Sequence, residues 1–138
     1  MASKGRPYRT VLVEGFEVLI GRGARDNDAL TFGVAKGSDS WLHVAGGTPG
    51  SHVVVRNPDK VPLPSSVIER AASYAAWYSK ARDGGWVEVH HCRVSDIRKP
   101  KGAPAGLVQL QRYKRVRVRP QAPEENAASD PGDEPSEG

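Results

Sequence analysis

The sequence predicts an α+β fold: a single domain with a mostly antiparallel sheet, one short and one long helix, and a disordered acidic C-terminal tail. Three observations carry this. Residues 8–14 and 16–21 are rich in β-branched residues, with Gly15 between them, and read as two strands. Residues 65–82 form one long helical segment with a stripe of alanines. Beyond Pro120 there is no Leu, Ile, Val or aromatic side chain, so that segment cannot bury enough apolar surface to order itself. The 138 residues suffice for one core and hardly for two. The expected organisation is a flexible N-terminus over 1–7, a folded domain over 8–120 and the tail over 121–138.

Each element has a local reason. Gly21-Arg22-Gly23 ends the second strand, and Asp26 or Asn27 can cap a short helix through Leu30, Phe32 and Val34, closed by Gly37. Residues 41–44 and 52–56 read as strands around the loop Gly46-Gly47-Thr48-Pro49-Gly50. A loop with prolines at 58, 62 and 64 leads to the long helix, where Ser66 and Glu69 have capping-box spacing. Ala71, Ala72, Ala75 and Ala76 line up with Ile68, which lets the helix lie close on a sheet. Asp83-Gly84-Gly85 stops it, and residues 86–94 form the next strand. A basic loop spans 95–106, and residues 107–111 and 115–119 look like a closing hairpin.

Charge narrows the function. The formal net charge is +4, but six of the 16 acids lie after residue 120. That leaves ten acids against 20 bases in residues 1–120, a balance that favours a polyanion such as nucleic acid. The single cysteine, Cys92, excludes an intramolecular disulfide and fits a reducing compartment. No apolar run is long enough for a signal peptide or membrane span, so a cytoplasmic location and no membrane contact are expected.

Two basic segments are candidate phosphate contacts. Arg98-Lys99-Pro100-Lys101-Gly102 places Arg98, Lys99 and Lys101 on a loop stiffened by proline, which loses little entropy on binding. In the segment 115–119, strand alternation puts Arg115, Arg117 and Arg119 on one face, about 7 Å apart. The same arginines also fit protection of an edge strand. Trp41 and His43 share a face, and Trp41 offers a base-stacking surface while His43 and His52 offer hydrogen bonds to phosphate or base edges. These side chains equally fit a buried structural role. The loop 46–50 lacks the Lys-Ser/Thr ending of a P-loop. His90 and Cys92 could share a metal, with no further ligands apparent, and no cofactor is expected. No nucleophile elbow, carboxylate pair or dinucleotide fingerprint is present.

Several of these segments together resemble the NFACT-R domain, the RNA-binding domain at the C-terminal end of ribosome quality-control factors. The resemblance is carried by Asn27-Asp28-x-Leu30-Thr31, Asp39-x-Trp41-Leu42-His43-Val44, Pro49-Gly50-Ser51-His52-Val53-Val54, Tyr78-Ser79-Lys80 and Arg98-Lys99-Pro100-Lys101-Gly102. It runs from about Tyr8 to Pro120. The chain departs from the family pattern at Gly23-Ala24, Cys92, Ser95 and Ala103-Pro104-Ala105-Gly106. It reads as a stand-alone form, since longer members carry other domains before this one, among them the region that engages tRNA.

The resemblance implies a non-catalytic RNA-binding module acting on tRNA or large-subunit ribosomal RNA, with the large ribosomal subunit as a partner. Arg98, Lys99, Lys101, Arg115, Arg117 and Arg119 would hold phosphates. Trp41, His43, Ser51 and His52 would form a more specific pocket, oriented by Asp28 and Asp39. The alternatives are an RNA-processing or RNA-modification enzyme component using His43 and His52, or an adaptor whose basic face meets an acidic protein. The sequence sets no oligomeric state.

Overall fold

The computed structural model describes residues 6–124. Strands β1 (Tyr8–Val13) and β2 (Phe16–Gly21) pair antiparallel from Tyr8↔Gly21 to Val13↔Phe16. The two turn residues, Glu14 and Gly15, have φ of 52° and 88°. Two positive φ angles give a turn whose twist matches the flanking strands.

Helix α1 (Ala24–Asp28) runs directly into a π-helical turn, Ala29–Val34. This helix starts earlier than expected, and neither Asp26 nor Asn27 caps it. The N-cap position is Gly23, with no side-chain cap bond. Asn27 is instead buried and spends its amide on the neighbouring loop, donating to Gly50 O at 3.2 Å and accepting from the His52 N–H at 3.0 Å. The helix also stops before Gly37, at Val34, where Ala35 turns extended.

Next come β3 (Ser40–Val44) and β4 (Val53–Val55), then helix α2 (Ser65–Trp77), β5 (Val87–Arg93) and a 3₁₀ turn, Val94–Asp96. The chain finishes with β6 (Ile97–Arg98), β7 (Gln109–Leu110) and β8 (Lys114–Val118). Six strands make one sheet in the order β1-β2-β4-β3-β5-β8, every pair antiparallel, and β6 and β7 form a separate ribbon.

The closing hairpin expected over 107–119 does not form. Residues 109–110 pair with β6, and β8 adds to the main sheet beside β5. The long helix is also shorter, ending at Trp77 rather than near Arg82. Tertiary bonds capture the segment beyond it: Ser51 N–H donates to Tyr78 O and Lys80 N–H to Pro49 O, each at 2.9 Å. These bonds to the loop before β4 replace the next helical turn. No capping box forms at the N-terminal end of α2. Ser66 Oγ donates to Glu14 Oε2 at 2.6 Å, and the carbonyl of Pro64 accepts from the N–H groups of Val67 and Ile68.

One face of the sheet holds the main core. Val11, Val18, Ile20, Leu42, Val53, Val55 and Val89 pack there against the alanine stripe of α2, whose four alanines are fully buried. Each fully buried Val, Leu or Ile contributes about 1.5–3 kcal/mol relative to exposure. The second face carries a smaller cluster of Leu19, Leu30, Trp41, Val54, Cys92 and Ile97 beneath the 24–34 helix and the β6–β7 ribbon. After β8 the chain turns back, and Gln121 N–H donates to Ser73 O at 3.2 Å. Most of the expected tail, from residue 125, and residues 1–5 lie outside the described residues.

Candidate nucleic-acid interface

Strand alternation sends Trp41 and His43 of β3, Glu88 and His90 of β5, and Arg115 and Arg117 of β8 to the face opposite α2. His43 lies opposite His90, and His90 lies opposite Arg115. His52, just before β4, extends this row, its ring centroid 5.3 Å from that of His43. Three imidazoles and a guanidinium thus cross four neighbouring chain segments on one face.

The inner end of the row is fixed by a directed chain of hydrogen bonds. Trp41 Nε1–H donates to Thr31 Oγ1 at 3.2 Å, and Thr31 Oγ1 lies 2.8 Å from His52 Nδ1. His52 Nε2 lies 3.1 Å from Gly106 O, which can only accept, so the proton sits on Nε2 and Nδ1 accepts from Thr31. His52 is 1% exposed, and burial, reinforced by the neighbouring His43, lowers its pKa to about 4. Burial also lowers the pKa of His43.

Beside this row opens a cleft of about 930 Å³. One wall is the loop 46–50, where Gly50 is bridged to Ser79 so closely that a Cβ on Gly50 would lie 2.7 Å from Ser79 Cβ. Residues 104–108 form another wall, while Arg22, Lys80 and Arg82 bring cations to the lining. The 104–108 wall is tied down by Lys99 and Asp28. Lys99 Nζ donates to Pro104 O at 2.6 Å and Leu107 O at 2.9 Å, and lies 3.0 Å from Asp28 Oδ2. The other Asp28 oxygen accepts from the Gly106 N–H at 3.1 Å.

The sequence-expected residues therefore separate into groups. His43, Ser51 and His52 meet at the cleft, as does the edge of Trp41. Trp41 is only 2% exposed, with His43 stacked on it at 5.8 Å and His52 edge-on at 5.0 Å, so its ring is packed in the interior and is not a free base-stacking surface. Ser51 Oγ donates to Gly21 O at 2.7 Å. Lys99 has three oxygen partners within the protein, so its ammonium orders the wall rather than standing free. Asp39 is fully buried away from the cleft. It accepts from the N–H groups of Asn57 and Lys36, at 2.6 and 2.9 Å, and pairs with Arg56 Nε at 2.7 Å. Arg98 is exposed and bonds to Ser95 O and Ile97 O, and Lys101 is exposed on the adjoining turn. Arg115, Arg117 and Arg119 are exposed along β8, with Arg115 Nε 3.4 Å from Glu88 Oε2.

Sequence reasoning missed Arg22, Lys80, Arg82 and His90 at the cleft. Lys80 and Arg82 were hidden by extending α2 to residue 82. Cys92 is buried, and desolvation pushes its thiol up to about 12, while the His90 ring lies 4.2 Å from that of Tyr113. Among the described residues no group of three or more His, Cys, Asp or Glu is placed to hold a metal, and no helix is long and apolar enough to cross a membrane.

A cleft with cations in its lining on the open face of an antiparallel sheet fits the class of nucleic-acid-binding domains. The chain belongs to the family of NFACT protein RNA binding domains, whose model matches residues 6–111. It is 37% identical over 124 residues to the Rqc2 homolog RqcH of Bacillus subtilis (strain 168), covering 86% of this chain and 21% of that protein. It is 36% identical over 116 residues to the Rqc2 homolog RqcH of Streptococcus suis (strain 05ZYH33), covering 83% and 20%. The chain thus spans about a fifth of these relatives. Among solved structures it is similar to the C-terminal part of the fibronectin/fibrinogen-binding protein of Streptococcus suis. The TM-score is 0.77 and the identity 34%, over 86% of this chain and 47% of that one.

Proposed function

We propose that this domain binds RNA without catalysing a reaction, and that its target is tRNA or large-subunit ribosomal RNA in ribosome-associated quality control in the cytoplasm. The observation that carries this is the cleft on the open sheet face, with Arg22, Lys80 and Arg82 in its lining. Lys101, Arg98, the two arginines of β8 and Arg119 just after it extend the same positive character beyond it. Cations placed this way draw a phosphate backbone and release its counterions. Relatives described as Rqc2 homologs support the setting.

The chemistry of the site favours binding over catalysis. Nδ1 of His52 already accepts a hydrogen bond and Nε2–H already donates one, so this ring has no free lone pair to act as a base. Its role is to hold the cleft floor to the 104–108 wall. Lys99 and Asp28 set the position of that wall, and Asp39 fixes the turn that leads into β3.

The test is in-cell UV crosslinking, with sequencing of RNA bound to wild type and to a Lys80→Ala/Arg82→Ala variant. Enrichment of tRNA or large-subunit rRNA, lost in the variant, is the expected result. Crosslinks no richer than background would sink the assignment.

A further inference from the structure

A second feature of the open face lies outside the cleft, at the free edge of the sheet. Trp86 directly precedes β5 and is 53% exposed. The guanidinium carbon of Arg119 lies 4.8 Å from its ring centroid and that of Arg117 lies 5.9 Å away. Neither other tryptophan is comparable: Trp41 is buried, and Trp77 sits partly buried under Arg82 at 4.7 Å. The core does not need the Trp86 ring, since the neighbouring Val87 and Val118 anchor this end of the sheet.

We propose that Trp86, flanked by Arg117 and Arg119, stacks on an unpaired base, so that the strip along β8 recognises single-stranded RNA leaving the cleft. This rests on the RNA-binding reading above and specifies the kind of RNA taken. Three observations carry it.

The first is chemical. An exposed indole gains from a partner with a flat apolar face, and every nucleobase has one, but a base inside a duplex has both faces covered by its neighbours. The second is spacing. Arg115, Arg117 and Arg119 stand about 7 Å apart beside the ring, so a strand whose base stacks on Trp86 has cations within reach of successive phosphates. The third is continuity. His90 lines the cleft and its ring lies against Tyr113, which is 43% exposed at the other end of β8. Tyr113 to Arg119 spans about 20 Å of extended chain, enough for about three extended nucleotides. Glu88, the acid facing this row, is already engaged by Arg115.

Protection of an edge strand explains the arginines, but it does not call for a half-exposed tryptophan beside them. The stacked guanidiniums also limit the motion of the indole, which lowers the entropy lost when a base arrives.

The experiment uses the full 138-residue chain and fluorescence anisotropy with two labelled RNAs, an unstructured strand of about ten nucleotides and a blunt duplex of matching length. Trp86→Ala is expected to weaken single-strand binding about tenfold, equivalent to about 1.4 kcal/mol, while duplex binding changes by less than about twofold. Trp86→Phe should recover most of the loss, and quenching of tryptophan emission by the single strand should shrink in Trp86→Phe. Equal losses on both RNAs, or none on the single strand, would overturn the proposal.

The cleft variant Lys80→Ala/Arg82→Ala separates the two levels. Wild type binding neither RNA would defeat the RNA-binding reading itself. Binding lost in the cleft variant but intact in Trp86→Ala would defeat the strip alone. A nuclease-resistant protein complex lost in Trp86→Ala, with single-strand affinity unchanged, would make the strip a protein-docking face and overturn the proposal.

Discussion

Asp28 and Gly106 lie 78 residues apart in sequence and are joined by a 3.1 Å hydrogen bond from the Gly106 N–H to Asp28 Oδ1. The same glycine accepts from His52 through its carbonyl. One residue of the cleft wall is therefore held from two elements at once. Asp28→Ala should release both Gly106 and Lys99, costing about 1–2 kcal/mol of stability for bonds to a charged group near the surface. Amide hydrogen exchange would report it, with faster exchange at Gly106 and Leu107 and little change in β2 and β4. Unaltered protection at Gly106 would contradict the role given to Asp28.

Thr31 is the hinge of the buried polar chain, accepting from Trp41 and donating to His52. Thr31→Val keeps the shape but leaves a buried donor and a buried acceptor without partners. A loss of about 1–3 kcal/mol in urea unfolding is expected. The double variant Thr31→Val/Trp41→Phe should lose less than the sum of the two single changes, because the coupling disappears with either partner.

Stability should fall with acid in a defined window. His52 titrates at about 4 in the folded protein against 6.5 ordinarily. The unfolded chain therefore takes up a proton first as the pH drops. The full contribution is present above about pH 6.5 and is lost progressively toward pH 4, approaching roughly 3 kcal/mol. His43 and His91, lowered by burial in the same direction, add to the slope. Urea unfolding across this range should show a shallower decline in His52→Gln than in wild type, once each is referred to its own stability near neutral pH. Parallel profiles would contradict the assignment.

RNA affinity should depend steeply on salt. Each phosphate contact to a single strand contributes about −0.7 to the slope of log K against log salt. Arg82→Ala should weaken binding and reduce the magnitude of that slope by about one contact. A flat salt dependence in wild type would remove the electrostatic basis of the proposed function.

Much of the fold was legible because its signals are local. The β-branched runs around Gly15 and the alanine stripe of α2 state their structure within a few residues. What was not legible depends on partners distant in sequence. Lys80 leaves the helix because Pro49 O offers its N–H a bond, and no propensity in 78–82 announces that. The last strands were misassigned for a similar reason, since residues 109–110 and 114–118 choose different partners, β6 and β5, across intervening chain. At the site, the motif residues Trp41, His43 and His52 all fall at the cleft. The sequence could not show that Trp41 and His52 form the floor while Lys80, Arg82 and Trp86 are accessible, because that division depends on which way each strand faces.

The alanine stripe has one further consequence. With α2 drawn tight against one side of the sheet, the opposite side has, among the described residues, only the short 24–34 helix and the β6–β7 ribbon as cover. The architecture is a sandwich with part of its second layer missing, and the row from His52 to Arg115 lies where that layer stops. Under the proposed function, a strand of RNA seated there would fill the gap and bind the folded chain, not the unfolded one. Cargo and scaffold then share a single free energy, and the melting temperature becomes a gauge of occupancy.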